Sequence, residues 1–188
     1  TGLVGVLKKG SSERSIGIRA DMDALDILEA NTFDYVSKTK GKMHACGHDG
    51  HTTMVLGAAK LLTESDDFDG TVYFVFQPDE EHGQGARAMI ADGLFERFPM
   101  QEIYGAHNMP GMPIGKFSTR TGGIMGSEDN FIIRIKGRGG HAARPHMSRD
   151  PLVTAAQIIT ALQTVVSRNM DPSESAVISC TELHTDGV

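Results

Sequence analysis

Three stretches of this sequence read as short strands, and each ends at its carboxyl side in residues able to hold a metal ion. Asp21 and Asp23 follow residues 16–20, Glu80 and Glu81 follow residues 71–76, and His107 follows residues 103–106. In open α/β sheets, sites form in the crevice outside the carboxyl ends of the strands. Core packing alone does not place acids and a histidine at three separate strand ends. The pattern therefore predicts a sheet with one polar, chemically active edge.

The segments around these strands fit an α/β chain. Residues 50–62 are helical in period, with Met54, Val55, Ala58, Ala59, Leu61 and Leu62 on one wide apolar face. Residues 71–76 (TVYFVF) are β-branched and aromatic, as in a buried strand. Residues 85–91 read as a short helix stopped at Gly93, and residues 3–7 as a further strand. Met54 and Met89 are expected to fill gaps in the core.

After Phe117 the texture changes. A glycine-rich crossing at residues 120–127 leads into residues 131–136, where Phe131, Ile133 and Ile135 alternate incompletely with polar neighbours. Asp150 and Pro151 form a helix start, an N-cap acid with proline at the first helical position. That helix is expected to reach Arg168 with Leu152, Ala155, Ile159, Leu162 and Val166 on its core stripe. Residues 176–183 read as a strand that packs Cys180. Two domains follow, an α/β unit over residues 1–120 and an α+β unit over residues 121–188. The chain begins inside one strand-like segment and stops just after another, so it reads as an internal fragment of a longer protein.

Charge and composition remove several function classes. The 188 residues carry 18 Lys and Arg against 24 Asp and Glu, a net charge of −6. No basic run offers a footprint for nucleic acid or an anionic membrane surface. No apolar run approaches the roughly 18 residues of a membrane span. Cys46 and Cys180 are the only cysteines, which excludes a disulfide scaffold and makes the cytoplasm the expected compartment.

The chemistry concentrates in four motifs. M-H-A-C-G-H-D-G-H (residues 43–51) packs thiol, imidazole and carboxylate donors just before a helix, and these are ligands for zinc-like ions. Cys46 and His48 are two apart, so an extended backbone turns both the same way. A polar helix-entry loop capped by Asp49 would explain single residues here, not the density. In Q-P-D-E-E (residues 77–81) the adjacent glutamates point in different directions, so one can bind metal while the other takes a proton from an acidified water. His107 alone would pass for a hydrogen-bonded loop histidine; its strand-end position makes it a ligand candidate. G-R-G-G-H-A-A-R-P-H (residues 137–146) lacks the spacing of a phosphate loop, but His141 on such a loop can donate a hydrogen bond to a developing oxyanion. His82 and His184 read as surface residues.

Together with R-A-D-M-D-A-L (residues 19–25), F-Q-P-D-E-E (76–81) and G-A-H-N-M-P-G-M-P (105–113), these motifs resemble the metal-dependent aminoacylase/carboxypeptidase-type amidohydrolases. Hippurate hydrolases and N-acyl-amino-acid amidohydrolases are the nearest likeness. The resemblance implies an α/β fold, with a partial zinc-peptidase-like catalytic domain and a partial inserted α+β dimerisation or lid domain. It implies two divalent metal ions (zinc, manganese, cobalt or nickel) on Cys46, His48, Glu81 and His107. It implies Glu80 as general base, His141 reaching across a homodimer to polarise the scissile carbonyl, and a small N-acyl amino acid as substrate. Asp21 and Asp23 match an acidic strand end expected to orient a ligand rather than bind metal. Two positions depart from the family pattern, Asp26 for a proline and Asp79 for an alanine. The family's last metal-binding histidine is expected beyond Val188, so the isolated fragment is expected to be inactive. A non-catalytic metal-binding or dimerisation module, or a related peptidase or deacetylase, remain the alternatives.

Overall fold

The most apolar strand lies inside the sheet, covered on both faces. In the computed structural model, which describes residues 2–186, four strands form one sheet: β1 (Leu3–Lys9), β2 (Ser15–Asp21), β3 (Gly70–Gln77) and β4 (Glu102–Gly105), in the order β1-β3-β2-β4. Thr1, Gly187 and Val188, the outermost positions of the two expected domains, lie outside the described residues. β2 runs parallel to β3, with Asp21 opposite Gln77, and parallel to β4, with Arg19 opposite Gly105. β1 closes the other edge antiparallel to β3. The three parallel strands thus discharge at one edge, as the three expected strand ends require.

Side-chain alternation sorts β3 between two cores. Val72, Phe74 and Phe76 pack with Ala20 and with Val55 of helix α1 (His48–Glu64), joined by the half-buried Ile18, Ala59 and Leu62. Val75 packs instead with Met89 of α2 (Gly85–Ala91) and Leu94 of α3 (Leu94–Arg97), with Tyr73, Phe98 and Met100 around them. A strand buried on both faces needs the near-continuous apolar run that TVYFVF supplies. Helix α1 is the crossover from β2 to β3, and α2 with α3 covers the opposite face on the way to β4. Strands that leave β2 on either side in this way open a crevice at their carboxyl ends.

The apolar face of α1 is narrower than its sequence suggests. His51, Val55, Ala59 and Leu62 turn inward at intervals of three and four, whereas Met54 is 44% exposed and Leu61 68% exposed. One sheet face covers only one stripe of a helix, so residues to either side of the stripe stay in water.

The chain divides into two compact units, Thr1–Ile114 and Gly115–Val188. In the second, the Asp150 carboxylate caps α4 (Pro151–Thr164) by accepting from the backbone N–H groups of Leu152 (2.8 Å) and Val153 (3.3 Å), as expected. The helix continues as a π turn through Val165–Asn169. Of its expected stripe, Ala155 is buried, Ile159, Leu162 and Val166 are half-buried, and Leu152 is exposed. Two expected strands are corrected. Residues 131–136 and 176–183 pair with no strand among the described residues. Alternation supplies a face, but a strand also needs a ladder partner for its N–H and C=O groups. For the same reason Cys180 is exposed rather than packed.

The asymmetry of burial gives a stability test in the full-length protein. Phe74→Ala, at the centre of the α1 core, is expected to cost about 3–5 kcal/mol in chemical denaturation. Leu61→Ala, on the water side of the same helix, is expected to stay within about 0.5 kcal/mol of wild type.

Candidate metal centre

The site begins with an imidazole that has no access to water. His48, the first residue of α1, is 1% exposed. Its Nδ1–H donates to the Asp23 carbonyl at 3.0 Å, which leaves the Nε2 lone pair free. Around that lone pair stand Asp21 Oδ2, Glu80 Oε2 and Glu81 Oε1, each at 3.7 Å. Cys46 lies beside them: ligand atoms of Cys46, His48 and Glu81 fall within 4.8 Å of one another. His107 stands on Cys46, its Nε2 3.7 Å from the Sγ and its Nδ1–H donating to the Asn108 carbonyl at 2.7 Å. Both histidines therefore keep Nε2 as the free nitrogen, and Cys46 lies near each.

Local structure explains the convergence. α1 starts at Gly47, whose backbone is left-handed (φ 85°) and whose missing side chain admits the Asn108 amide. The Glu80–Glu81 pair sits on a turn after β3, closed where Gln84 and Gly85 donate to the Asp79 carbonyl. A Cβ at Gly85 would overlap the Pro78 carbonyl, so only glycine lets α2 begin this close to the turn. Asp23 ties the parts together, its carbonyl holding His48 and its Oδ2 accepting the Glu81 backbone N–H at 3.1 Å.

The electrostatics are those of a cation site. Burial pushes the Cys46 thiol above its ordinary value, and the negative charges of Glu81, Glu80 and Asp21 push it further. Burial also acts to raise Asp23, but backbone N–H groups of Glu81 and Glu80 outweigh it and hold the carboxyl below its ordinary range. Asp21 likewise stays low despite burial, because His51, Arg19 and His48 face it. Two buried oxygens, Asp23 Oδ1 and Glu81 Oε1, have no hydrogen-bond partner. His48 Nδ1 lies 3.3 Å from Asp23 Oδ1, yet its proton goes to the Asp23 carbonyl. An ion-sized positive charge fits Glu81 Oε1, which faces His48 Nε2, because an unpaired buried carboxylate oxygen is costly. The spacing fits as well: donors around one tetrahedral zinc stand about 3.3–3.6 Å apart, close to the 3.7 Å separations here. Sulfur, imidazole and carboxylate together form a donor set for a zinc-like ion.

Glu80 differs from its neighbour. Its side chain is 42% exposed against 23% for Glu81, so it faces the open side of the cluster. His141 lies in the second unit and is exposed; the Ala143 N–H donates to its Nδ1 at 3.1 Å, so the neutral ring carries its proton on Nε2. His82 and His184 are on the surface, as expected. Three residues escaped the sequence reading. His51, 2% exposed, joins Asp21 to Asn108, and Arg19 donates to Asp21 Oδ2 and Gln77 Oε1, each at 2.9 Å. The signals were present: His51 follows His48 by three on a helix, Arg19 precedes Asp21 by two on a strand, and Asn108 is the neighbour of His107.

The likeness to known proteins is extensive. A model of peptidase family M20/M25/M40 matches residues 17–185. Hippurate hydrolase of Campylobacter jejuni is 52% identical over 179 residues, covering 95% of this chain and 46% of its own length. N-acetylcysteine deacetylase of Bacillus subtilis is 44% identical over 184 residues, with coverage of 97% and 48%. Among solved structures, a dinuclear metal-binding peptidase of the M20 family from Bacillus subtilis matches with a TM-score of 0.57 and 42% identity, over 61% of this chain and 32% of its own. The chain spans about half the length of the curated relatives it matches. No described helix is long and apolar enough to cross a membrane.

Sulfur gives the cluster a signature. With cobalt(II) as the probe ion, the full-length protein is expected to show a thiolate-to-metal charge-transfer band that Cys46→Ser abolishes and Cys180→Ser leaves intact, read by absorption spectroscopy.

Proposed function

The chain belongs to peptidase family M20/M25/M40, and we propose that the full-length protein is a metal-dependent amidohydrolase cleaving the linear amide bond of N-acyl amino acids, hippurate-like compounds foremost. The observation that carries this reading is the division between two adjacent glutamates. Glu81 turns a buried, unpartnered oxygen toward His48, whereas Glu80 stands at the open side. That division supports a reading in which Glu81 holds a cation and Glu80 handles a proton.

In this reading Cys46, His48, Glu81 and His107 would hold two divalent cations, of zinc, manganese, cobalt or nickel. Thiolate and imidazole favour zinc, and the carboxylates also suit the others. Bound there, the cations supply Lewis acidity, bringing the pKa of water toward about 7 and offsetting charge that develops on the carbonyl oxygen. Glu80 accepts a proton from the attacking water as its oxygen bonds to the amide carbon. The C–N bond then breaks, and Glu80 returns the proton to the departing nitrogen. The products are a carboxylic acid and a free amino acid.

The carbonyl oxygen needs a further donor. His141 carries its proton on an exposed Nε2, which suits it to polarise that oxygen from the partner subunit of a homodimer. Residues 1–120 would then be the catalytic domain and residues 121–188 a dimerisation and lid domain, working in the cytoplasm. Similarity to hippurate hydrolase supports an aromatic acyl group, and similarity to N-acetylcysteine deacetylase makes acetyl the second choice.

A panel of N-acyl amino acids, assayed on the full-length protein with each metal in turn, tests the proposal. Release of free amino acid from hippurate is expected. Glu80→Gln is expected to lower kcat by about 100-fold or more while metal content by elemental analysis stays unchanged. Metal lost along with activity would move Glu80 into the ligand set. Full metal loading with no N-acyl amino acid cleaved would leave a non-catalytic metal-binding module.

A further inference from the structure

The buried histidine that the proposed reaction does not use is His51. We propose that His51 is a positioning residue, a clasp that holds Asn108, and with it the adjacent His107, against the first turn of α1. The consequence for metal binding rests on the cation-site reading given above; the clasp itself does not.

Both ring nitrogens of His51 are engaged. Nδ1 lies 2.6 Å from Asp21 Oδ1, and Asp21 is in turn gripped by Arg19, so the ring is anchored to the end of β2. Nε2 lies 3.1 Å from the Asn108 backbone nitrogen and 3.0 Å from Asn108 Oδ1. The Asn108 Nδ2 donates to the Gly47 carbonyl at 3.3 Å, and a Cβ at Gly50 would come within 2.7 Å of that same nitrogen. The His107 ring meets the His51 ring edge-on at 4.3 Å between centroids. Asn108 is thus held on three sides, by an imidazole, a carbonyl and the bare backbone of two glycines.

That grip matters because His107 has little else. It is exposed, it lies two residues beyond the end of the short edge strand β4, and its own Nδ1 bonds only to the next carbonyl. Fixing Asn108 fixes the ring that presents Nε2 to Cys46. Asp21, His48 and His51 also lie close enough to share an ion. With both nitrogens of His51 occupied by protein groups, the geometry points to support rather than ligation.

Side-chain reach provides the test. In the full-length protein, cobalt(II) affinity measured by chelator competition is expected to fall about 10–100-fold in His51→Ala. His51→Gln, whose amide extends to the position of Nε2, is expected to restore most of it. His51→Asn, which reaches only to Nδ1, is not. Asn108→Ala should reproduce the loss, and the double variant should lose no more than either single one, because the two act as a unit. Wild-type affinity in His51→Ala would overturn the clasp, and so would Gln behaving like Ala, which would make His51 a ligand. Hydrogen exchange in the metal-free protein supplies an independent reading: the segment around His107 and Asn108 should exchange faster in His51→Ala while β3 does not. If the wild type takes up no cobalt, the cation-site reading fails and exchange alone decides the clasp, unchanged rates at His107 and Asn108 refuting it.

Discussion

One buried nitrogen faces three carboxylates. Asp21, Glu80 and Glu81 all approach His48 Nε2 to the same distance, and among the described residues no lysine or arginine pairs with Glu80 or Glu81 there. Arg19 engages Asp21 from the side, and the backbone N–H groups serve Asp23. This concentration of negative charge around an imidazole, with a thiol alongside, makes sense of the neighbouring devices. Parallel strands bring the acids to one edge, glycines let backbone segments close in, and Asp23 holds the two halves in register.

The sheet does the gathering. β2 and β3 are parallel and in step to their last residues, so the acids after each arrive side by side although they lie far apart in sequence. β4 brings His107 to the other flank of β2. A change of strand direction at any of these three positions would send one group of donors to the opposite edge. The antiparallel β1 lies beyond β3, away from β2, where reversing direction removes no donor.

Sequence made the site more legible than the second half of the fold. Donors at strand ends and the dense run of residues 43–51 announce chemistry through residue type alone, and residue type survives any uncertainty about where an element begins. The supporting residues were harder, because their meaning lies in partners. His51 is one more histidine until Asn108, 57 positions away, is seen against it. Met54 and Leu61 belong to the apolar pattern of α1, but how much of a helix a sheet can cover is a matter of packing geometry. The strands expected at residues 131–136 and 176–183 failed for a related reason: alternation is local, and ladders are not. The Asp150 cap was readable because the acid, the proline and the N–H donors that the acid accepts from all lie within four residues.

The thiol of Cys46 carries one more implication. Sulfur is attacked by oxidants as thiolate, and groups that discourage ionisation therefore slow sulfenic acid formation. Burial and the surrounding carboxylates do this to Cys46. The same crowd of negative charge that suits the cluster to a cation thus also disfavours the form of the sulfur that oxidants attack.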